Sequence, residues 1–483
     1  MNIQAEITQL RLFRQQLYQS FHTRADALMD LIDALSSNRT ARSVVELSLN
    51  ALFRREYGSV HDAIAHFFQA SDPEKANEER WDRERSLIWL VSSVLPEPQQ
   101  RKFWLVGIDV TPLPRPFAPT LGDRTFVYQP NTIRGNKPVA IGHQYSTLVF
   151  FPEKEGRYAP PWVVPLSVCR VSSQQTPNEV GANQIERLIE DPALPFYGQL
   201  CVQVEDSSYS VVPFLGRIAL HRDLVTVTRL RGNRTLYRQP LPVEGKRPRG
   251  HPTWYGERCS LKEPWTWGQP DEIATTTLTT RKGRTYQVHL EGWHHLLMRG
   301  TRELPMHKHP FTLIRVLVLD EHGQMVFKRA MWLIVFGQRR HELSLVEAWQ
   351  AYGQRYDEEH FFRFGKQRLL MDAYQTPDVE HEENWWQIVS LAYVQLWLAR
   401  SLAEAMPRRW EQHLPQCKNK VITPSFVQRD FARIIQQIGT PAKAPKPRGK
   451  SPGRAKGTRP ERRERQPVIK KSRKGRKSRS KAA

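Results

Sequence analysis

The chain has little cysteine and no long apolar run. Its four cysteines, Cys169, Cys201, Cys259 and Cys417, are never spaced as Cys-x-x-Cys, which argues against a disulfide framework or a zinc ribbon. The longest apolar stretches, such as residues 331–336, have the length of a strand and are too short for a membrane span. The beginning, MNIQAEITQL, lacks the basic start and apolar centre of a signal peptide. We therefore expect a cytoplasmic protein without a membrane partner.

Acidic residues are scarce relative to basic ones. The chain has 72 Lys+Arg, 49 Asp+Glu and a formal net charge of +23, which predicts a polyanionic partner and association with the nucleoid. Residues 441–483 contain 18 Lys+Arg and 2 Asp+Glu, so 18 − 2 = +16 of this charge lies there. This low-complexity stretch predicts a disordered basic tail. Nonspecific DNA binding through counterion release is the favoured role, and a merely solubilising tail is the alternative.

The rest of the chain is long enough for two or three domains. With 483 residues and 39% hydrophobic residues, it can bury a large core. Residues 1–102 show several short amphipathic patterns, including 41–52 and 78–95, and predict a helical N-terminal domain. Such a module either binds DNA ends or packs on the remainder of the protein, and the sequence favours neither.

Two aspartates lie in or after predicted strands. Residues 104–110, WLVGIDV, are apolar on both faces, as in the central strand of a covered sheet. Asp109 lies within this strand, where a carboxylate is costly unless it is paired or binds a metal; a turn cap before Pro112 is the alternative. In residues 199–205 the alternation places Val204 and Asp206 on one face and Glu205 on the other, which favours Asp206.

The stretch 346–371, VEAWQAYGQRYDEEHFFRFGKQRLLM, predicts one continuous helix. At about 100° per residue, one narrow stripe carries five residues: Tyr352, Arg355, Glu359, Arg363 and Lys366. A carboxylate flanked by cations suits a metal ion and a phosphate backbone, although most such stripes are solvated charged faces. Glu358 lies off the stripe, and we expect its substitution to matter little for activity.

The spacing Tyr352-x2-Arg355-x3-Glu359-x6-Lys366 resembles the Y-x2-R-x3-E-x6-K signature of a large group of bacterial insertion-sequence DDE transposases. The segment VEDSSYS around Asp206 resembles that family's second-aspartate segment, in which the acid is followed by small residues and a tyrosine. The resemblance covers about residues 103–371.

This resemblance implies a site and a reaction. Asp109, Asp206 and Glu359 would be the catalytic acids and the ligands of two Mg²⁺ ions, for which Mn²⁺ can substitute. Residues of the helix stripe would hold the terminal phosphates of a transposon end: Tyr352, Arg355 and Lys366 by resemblance, and Arg363 by its position. The reaction would be strand cleavage at insertion-sequence ends followed by strand transfer into target DNA. Synapsis of two ends implies a homodimer on double-stranded DNA.

The expected architecture is an α/β fold. An RNase H-like catalytic core would occupy residues 103–222 and 329–440, with a β-rich insertion at 223–328 whose tryptophans and cations help to hold a DNA hairpin or a flipped base. Two alternatives remain open: a structure-selective nuclease or resolvase on the same core, and a non-catalytic nucleic-acid-binding protein. The second explains the charge but gives no reason for the spacing from Tyr352 to Lys366.

Overall fold

The computed structural model describes residues 3–72, 74–129, 138–154, 156, 159–241, 254–280, 282–406, 408, 410, 421–447, 455–459 and 461–471. Its helices in this part of the chain are α1 Ile3–Ser20, α2 Ala25–Ser36, α3 Gly58–Ala65, α4 Ala76–Ser92, α5 Pro177–Glu190, α6 Val212–Ile218, α7 Leu345–Gln354, α8 Tyr356–Arg368, α9 Val379–Leu398, α10 Arg400–Ala405 and α11 Pro424–Ile438. Its strands are β1 Trp104–Pro114, β2 Thr125–Tyr128, β3 Val139–Phe150, β4 Val164–Arg170, β5 Cys201–Glu205, β6 Leu224–Leu230, β7 Thr235–Tyr237, β8 Arg258–Ser260, β9 Glu272–Thr279, β10 Thr285–Leu296, β11 Phe311–Leu319 and β12 Met331–Phe336. Among these helices, none has both the length and the apolar content that a membrane crossing requires.

One large mixed sheet organises the molecule and confirms the predicted α/β class. The strand order is β2-β3-β1-β5-β6-β12-β11-β10-β9, and β4 pairs with β3. Strands β1, β5 and β6 are parallel, whereas β3 and β12 run antiparallel to their neighbours β1 and β6. All five residues of β5 are buried, as expected for a strand covered on both faces. Most of the β-rich stretch after β6 extends this sheet, because β9, β10 and β11 continue it beyond β12.

Helix α9 is the centre of the helical layer. From Asn384 onward its sequence is apolar around nearly its whole circumference, and this part is buried accordingly. It packs against β4 on one side and against α1, α2, α3 and α11 on the other. A buried salt bridge joins Arg14 to Asp33 at 2.5 Å, and the Gln395 side chain of α9 accepts a hydrogen bond from the same guanidinium. The N-terminal helices are therefore tied directly to the C-terminal part of the chain.

Two predicted helices differ from the observed structure. Residues 41–52 form only a short 3-10 turn, Val45–Leu49, because local side-chain bonds compete with the helix: the Asn38 side chain accepts from the Ala41 amide and Glu46 accepts from the Arg42 amide. The predicted single helix over 346–371 is wrong as well. It divides into α7 and α8 at Arg355, where the backbone bonds shorten to i→i−3.

The predicted disorder of residues 441–483 is not confirmed for the parts that the structure describes. Residues 441–447 contact the N-terminal helices: the Arg54 guanidinium donates to the Ala442 carbonyl at 3.1 Å, and the Lys443 amide donates to Asp26 at 2.8 Å. Residues 461–471 also contact the body of the protein, at the edge of the sheet formed by β2. The basic stretch is thus attached to the folded core at two places.

A buried carboxylate fixes α9 to the sheet. Glu382 accepts hydrogen bonds from His143 Nδ1 at 2.6 Å, Tyr145 Oη at 2.9 Å and Arg115 Nε at 3.2 Å. Burial raises the pKa of this carboxyl, but the hydrogen bonds and the charges of His143 and Arg115 outweigh burial and hold the pKa below its usual value. The charged form of Glu382 is consequently part of the folded structure.

We predict that Glu382→Ala lowers the free energy of unfolding by about 3–5 kcal/mol at pH 7.5, because it leaves buried polar partners without their carboxylate. The matched change Glu380→Ala, in the same helical turn but half-exposed and paired with Arg80, should cost less than about 1 kcal/mol. Since the folded-state pKa of Glu382 is depressed, its contribution is present above the unfolded pKa and is lost as the pH falls below about 4. Denaturant unfolding of both variants at several pH values tests this; equal losses would contradict it.

Candidate active site

The two predicted aspartates lie side by side on adjacent parallel strands. The register of β1 and β5 pairs Ile108 with Glu205, so the next residues along the chain, Asp109 and Asp206, follow at the same level. Asp206 comes directly after β5, and its Oδ1 accepts hydrogen bonds from the Ser208 amide at 2.8 Å and the Ser208 hydroxyl at 2.5 Å. The parallel pairing of two apolar strands therefore brings together carboxylates that are almost a hundred residues apart in sequence.

Helix α8 brings the third predicted acid to these strands. Arg355, at the break between α7 and α8, places Nη1 3.6 Å from Asp109 Oδ2 and Nη2 3.4 Å from Glu359 Oε1. Its guanidinium is largely buried. Because the helix restarts after Arg355, Glu358 and Glu359 lie in the first turn of α8, where the helix dipole favours negative charge.

The electrostatics of Asp109 reflect this crowding. Burial raises the pKa of Asp109 to about 6, and the negative charges of Asp206 and Glu359 act in the same direction, while Arg355 opposes them. The charges of Asp206 and Glu359 thus both act on the Asp109 carboxyl group. Glu359 is half-exposed, so a ligand from solvent can reach its carboxylate.

The cations and the tyrosine of the predicted stripe have different environments. Tyr352 and Arg355 are buried, Arg363 is exposed, and Lys366 is half-buried. The Lys366 ammonium donates to Thr111 Oγ1 at 2.6 Å and to the Pro112 carbonyl at 3.4 Å, and burial lowers its pKa. Lys366 therefore holds α8 against the end of β1, and among the four predicted DNA-binding residues only Arg363 is directly presented to solvent.

Two further carboxyl groups lie behind the site. Glu358 and Glu205 are completely buried, and burial raises the pKa of each well above its usual value, with the charge of Asp109 adding to the effect at Glu358 and that of Asp206 at Glu205. Both carboxyl groups therefore favour the neutral, protonated form. Glu358 faces β1, since a Cβ built on Gly107 would lie 3.3 Å from Glu358 Oε2. Glu358 therefore lies behind Asp109, and the expectation that its substitution matters little for activity stays a prediction.

A signal for the burial of Glu358 is present in the sequence. Residues three and four positions apart share a helix face, and Glu358 is followed at these intervals by Phe361 and Phe362, both of which are buried. Glu359 is followed at the same intervals by Phe362 and Arg363 and lies at the border of the exposed side. Such spacing predicts that Glu358 points to the core and Glu359 to the surface.

The donor set fits a divalent cation. Asp109, Asp206 and Glu359 supply hard carboxylate oxygens of the kind that Mg²⁺ and Mn²⁺ prefer, and the charges of Asp206 and Glu359 add to the burial that raises the pKa of Asp109. Within the described ranges, no three His, Cys, Asp or Glu side chains are grouped closely enough to share an ion. The Arg355 guanidinium instead contacts both Asp109 and Glu359, so a cation between these two acids would replace it as their countercharge.

Acidic side chains from two adjacent strands and a helix lie at one end of a parallel strand pair in this α/β fold, and carboxylates of this kind suit metal-assisted phosphodiester chemistry. Over residues 16–294, more than half its length, the chain matches the family model described as DDE superfamily endonuclease, and it belongs to this family. Such endonucleases generally use divalent metals and act on DNA. A search of curated proteins found no match to the chain. The family match includes Asp109 and Asp206 and ends before Glu359.

We predict that Asp109→Asn stabilises the metal-free protein at pH 8. The charged form of Asp109 is disfavoured in the fold, so wild-type stability is reduced above the folded pKa of about 6 and recovers as the pH falls toward the unfolded value near 4. The variant should gain on the order of 2 kcal/mol in EDTA at pH 8, and the gain should vanish near pH 4. Thermal unfolding at both pH values provides the measurement; a loss of stability at pH 8 would contradict an unfavourable buried charge on Asp109.

Proposed function

We propose that this endonuclease is an insertion-sequence transposase with an RNase H-like core, which cleaves DNA strands at the ends of its element and joins them to a target. The observation that carries the proposal is the Arg355 guanidinium, which contacts Asp109 and Glu359 at 3.6 and 3.4 Å beside Asp206. Its support from sequence is the spacing from Tyr352 to Lys366, which a nuclease of another kind or a non-catalytic DNA-binding protein does not require.

The proposed roles follow from where each side chain is held. Asp109 lies within β1, Asp206 directly follows the buried strand β5, and Glu359 lies on the exposed side of α8. Two Mg²⁺ ions bound by these acids, or Mn²⁺ in their place, would stabilise the charge on the attacking and leaving oxygens of an in-line displacement at phosphorus. Arg355 balances the acids in the metal-free protein and is available to phosphate once they bind cations. Lys366 holds α8 against the end of β1 through its hydrogen bonds to Thr111 and Pro112.

The division into domains is part of the proposal. The catalytic core comprises residues 103–222 and 329–440, and the intervening residues 223–328 are the insertion; this is supported by β12, which returns to pair with β6. Residues 1–102 form the N-terminal helical unit, and residues 441–483 form the basic tail. The functional complex is a homodimer on double-stranded DNA at the nucleoid.

The direct test is incubation with duplexes from both flanks of the coding region and Mg²⁺, with cleavage and strand transfer read on one gel. Asp109→Asn, Asp206→Asn and Glu359→Gln should each reduce both products by more than about 100-fold, because loss of even an outer residue of a metal site costs 10–100-fold. Glu321→Gln, at an exposed turn, is the matched control and should retain both. Cutting without joining would favour a nuclease or resolvase, and an active Asp206→Asn protein would remove the proposed site.

Arg363 is expected to bind phosphate at the transposon end. Arg363→Ala should weaken binding to the end duplex and reduce the slope of log affinity against log salt by about 1. Arg368→Ala is the matched control, because it removes an exposed arginine from the same helix at about 180° from Glu359. Salt titrations monitored by fluorescence anisotropy give the two slopes. Equal slopes for the two variants would show that DNA does not bind to the face of α8 that carries Glu359 and Arg363.

The insertion offers Trp265 as a stacking partner for an unpaired base. Trp293 is buried, Trp267 packs against Trp293 and Trp332, and Trp254 stacks on His307 at 4.4 Å. Trp265, by contrast, is 79% exposed. Trp265→Ala should leave the fold intact and cost about 1–3 kcal/mol in binding an end with one unpaired terminal base. Trp254→Ala is the comparison variant. A larger loss of binding for Trp254→Ala than for Trp265→Ala would show that Trp254 stacks on the base and Trp265 does not.

A further inference from the structure

Strand β9 forms an open edge of the central sheet. It is the last strand at the end opposite to β2, and in the part of the chain that the structure describes only β10 pairs with it. The edge at β2 is met by a segment of the same chain, since Ile469 forms a parallel bridge with Thr125. An open strand edge presents amides and carbonyls to other chains. The two ends of the sheet therefore differ in whether the described chain covers them.

The hydrogen bonds at the β9–β10 turn show which backbone groups of β9 point outward. The Thr280 amide donates to the Arg284 carbonyl at 2.8 Å, so these two residues form a hydrogen-bonded pair of the antiparallel ladder. Such pairs alternate with pairs whose amides and carbonyls point away from the neighbouring strand. The register of β9 and β10 is uninterrupted. Counted back from Thr280, the outward groups therefore belong to alternate residues: Ile273, Thr275, Thr277 and Thr279.

The sequence of β9 does not carry the usual protection of a strand edge. Its residues, EIATTTLT, include no Lys, Arg, Pro or Gly, and five of the eight are β-branched, which suits a pleated strand. Ile273 is 59% exposed. Natural sheet edges are commonly blunted by lysine, proline or a bulge, whereas an edge of this composition can accept a further strand through main-chain hydrogen bonds.

The strand is complementary to a second copy of itself. In an antiparallel pair with its two-fold axis at Thr276, Thr275 of one copy meets Thr277 of the other. On the opposite face of the strand, Ala274 meets Leu278. Threonine pairs and apolar pairs both stabilise adjacent strands. The four outward-pointing residues are then all paired with one another, which gives as many as about eight main-chain hydrogen bonds.

The charges at the two ends of β9 match in the same arrangement. Asp271 and Glu272 are exposed at the beginning of the strand. Lys282 and Arg284 are exposed at the turn after its end. Because antiparallel pairing brings the beginning of one strand to the end of the other, the acids of each copy lie beside the cations of the second copy. The two-fold axis produces this favourable contact twice, whereas the acids disfavour DNA phosphates as the occupant of the edge.

We propose that two copies of this chain pair through β9, antiparallel about Thr276, to form a dimer whose central sheet is continuous across both copies. The pairing requires neither DNA nor a metal ion. The inference therefore goes beyond the proposed function, which places a homodimer on DNA, and it does not depend on the chemistry at Asp109.

The first test is analytical ultracentrifugation of the full-length protein in EDTA and without DNA. We expect a concentration-dependent dimer. Thr277→Pro should raise the dissociation constant of this dimer about tenfold or more, because it removes one outward amide from each copy. A proline whose nitrogen faces outward is tolerated in an edge strand, so the bonds to β10 remain. Thr277→Ser keeps the amide and is the matched control, which should dimerise as the wild type does.

The second test reverses the charges at the two ends of the strand. Glu272→Lys and Lys282→Glu should each weaken the dimer, because like charges then meet at both ends of the strand pair. An equimolar mixture of the two variants should recover dimerisation as a heterodimer, because both ends then carry opposite charges. Loss of folding in either variant cannot produce such a recovery.

A wild-type protein that is monomeric at all concentrations, a dimer that Thr277→Pro does not weaken, or a mixture of charge variants that dimerises no better than each variant alone would overturn the inference. Weaker DNA binding by Thr277→Pro in an otherwise monomeric protein would overturn it as well and assign the edge to DNA. Dimerisation through β9 in a protein that cuts no DNA would sustain the inference and refute the proposed transposase. Cleavage and joining by a chain that is monomeric without DNA would do the reverse.

Discussion

The contact of Arg355 with both Asp109 and Glu359 is the interaction on which the site depends. Parallel pairing of β1 with β5 places Asp109 and Asp206 at one level of the sheet, and Glu359 of α8 contacts the same Arg355 guanidinium as Asp109. Such a group is unfavourable without a countercharge, and burial, together with the charges of Asp206 and Glu359, raises the pKa of Asp109. The break between α7 and α8 places Arg355 where it can meet this need in the metal-free protein.

The rest of the fold keeps these groups in place. Lys366 fixes α8 to the end of β1, and Phe361 and Phe364 of α8 pack edge-on against Tyr393 of α9. Helix α9 is joined to the sheet through Glu382 and to the N-terminal helices through Gln395. The acids are thus held by one continuous core, in which buried polar contacts set the orientation of the elements and apolar packing fills the space between them.

The sequence predicted the features that follow from local periodicity. The apolar run around Asp109 and the alternation before Asp206 identified two buried strands, and the charged and apolar faces of residues 346–371 identified a helical region next to the core. The break at Arg355 was missed, because a shift to i→i−3 bonds leaves the composition of a helix unchanged. The burial of Glu358 agrees with its spacing to the buried Phe361 and runs against its charge, which by itself favours the surface. The docking of residues 461–471 depends on partners such as Arg124 and Gln466, which are 342 residues apart in the chain, and no local pattern encodes such a contact.

The most direct test of the account is whether Asp109, Asp206 and Glu359 hold one divalent-metal site. Fe²⁺ in place of Mg²⁺, with ascorbate and peroxide, generates hydroxyl radicals at the bound ion and cuts the protein backbone beside its ligands. The account predicts cuts around residues 109, 206 and 359 in the same protein, suppressed by excess Mg²⁺ and weakened at all three places by Glu359→Gln. Cuts confined to other segments, or cuts at 109 and 206 that Glu359→Gln leaves unchanged, would contradict a single site built from these three acids.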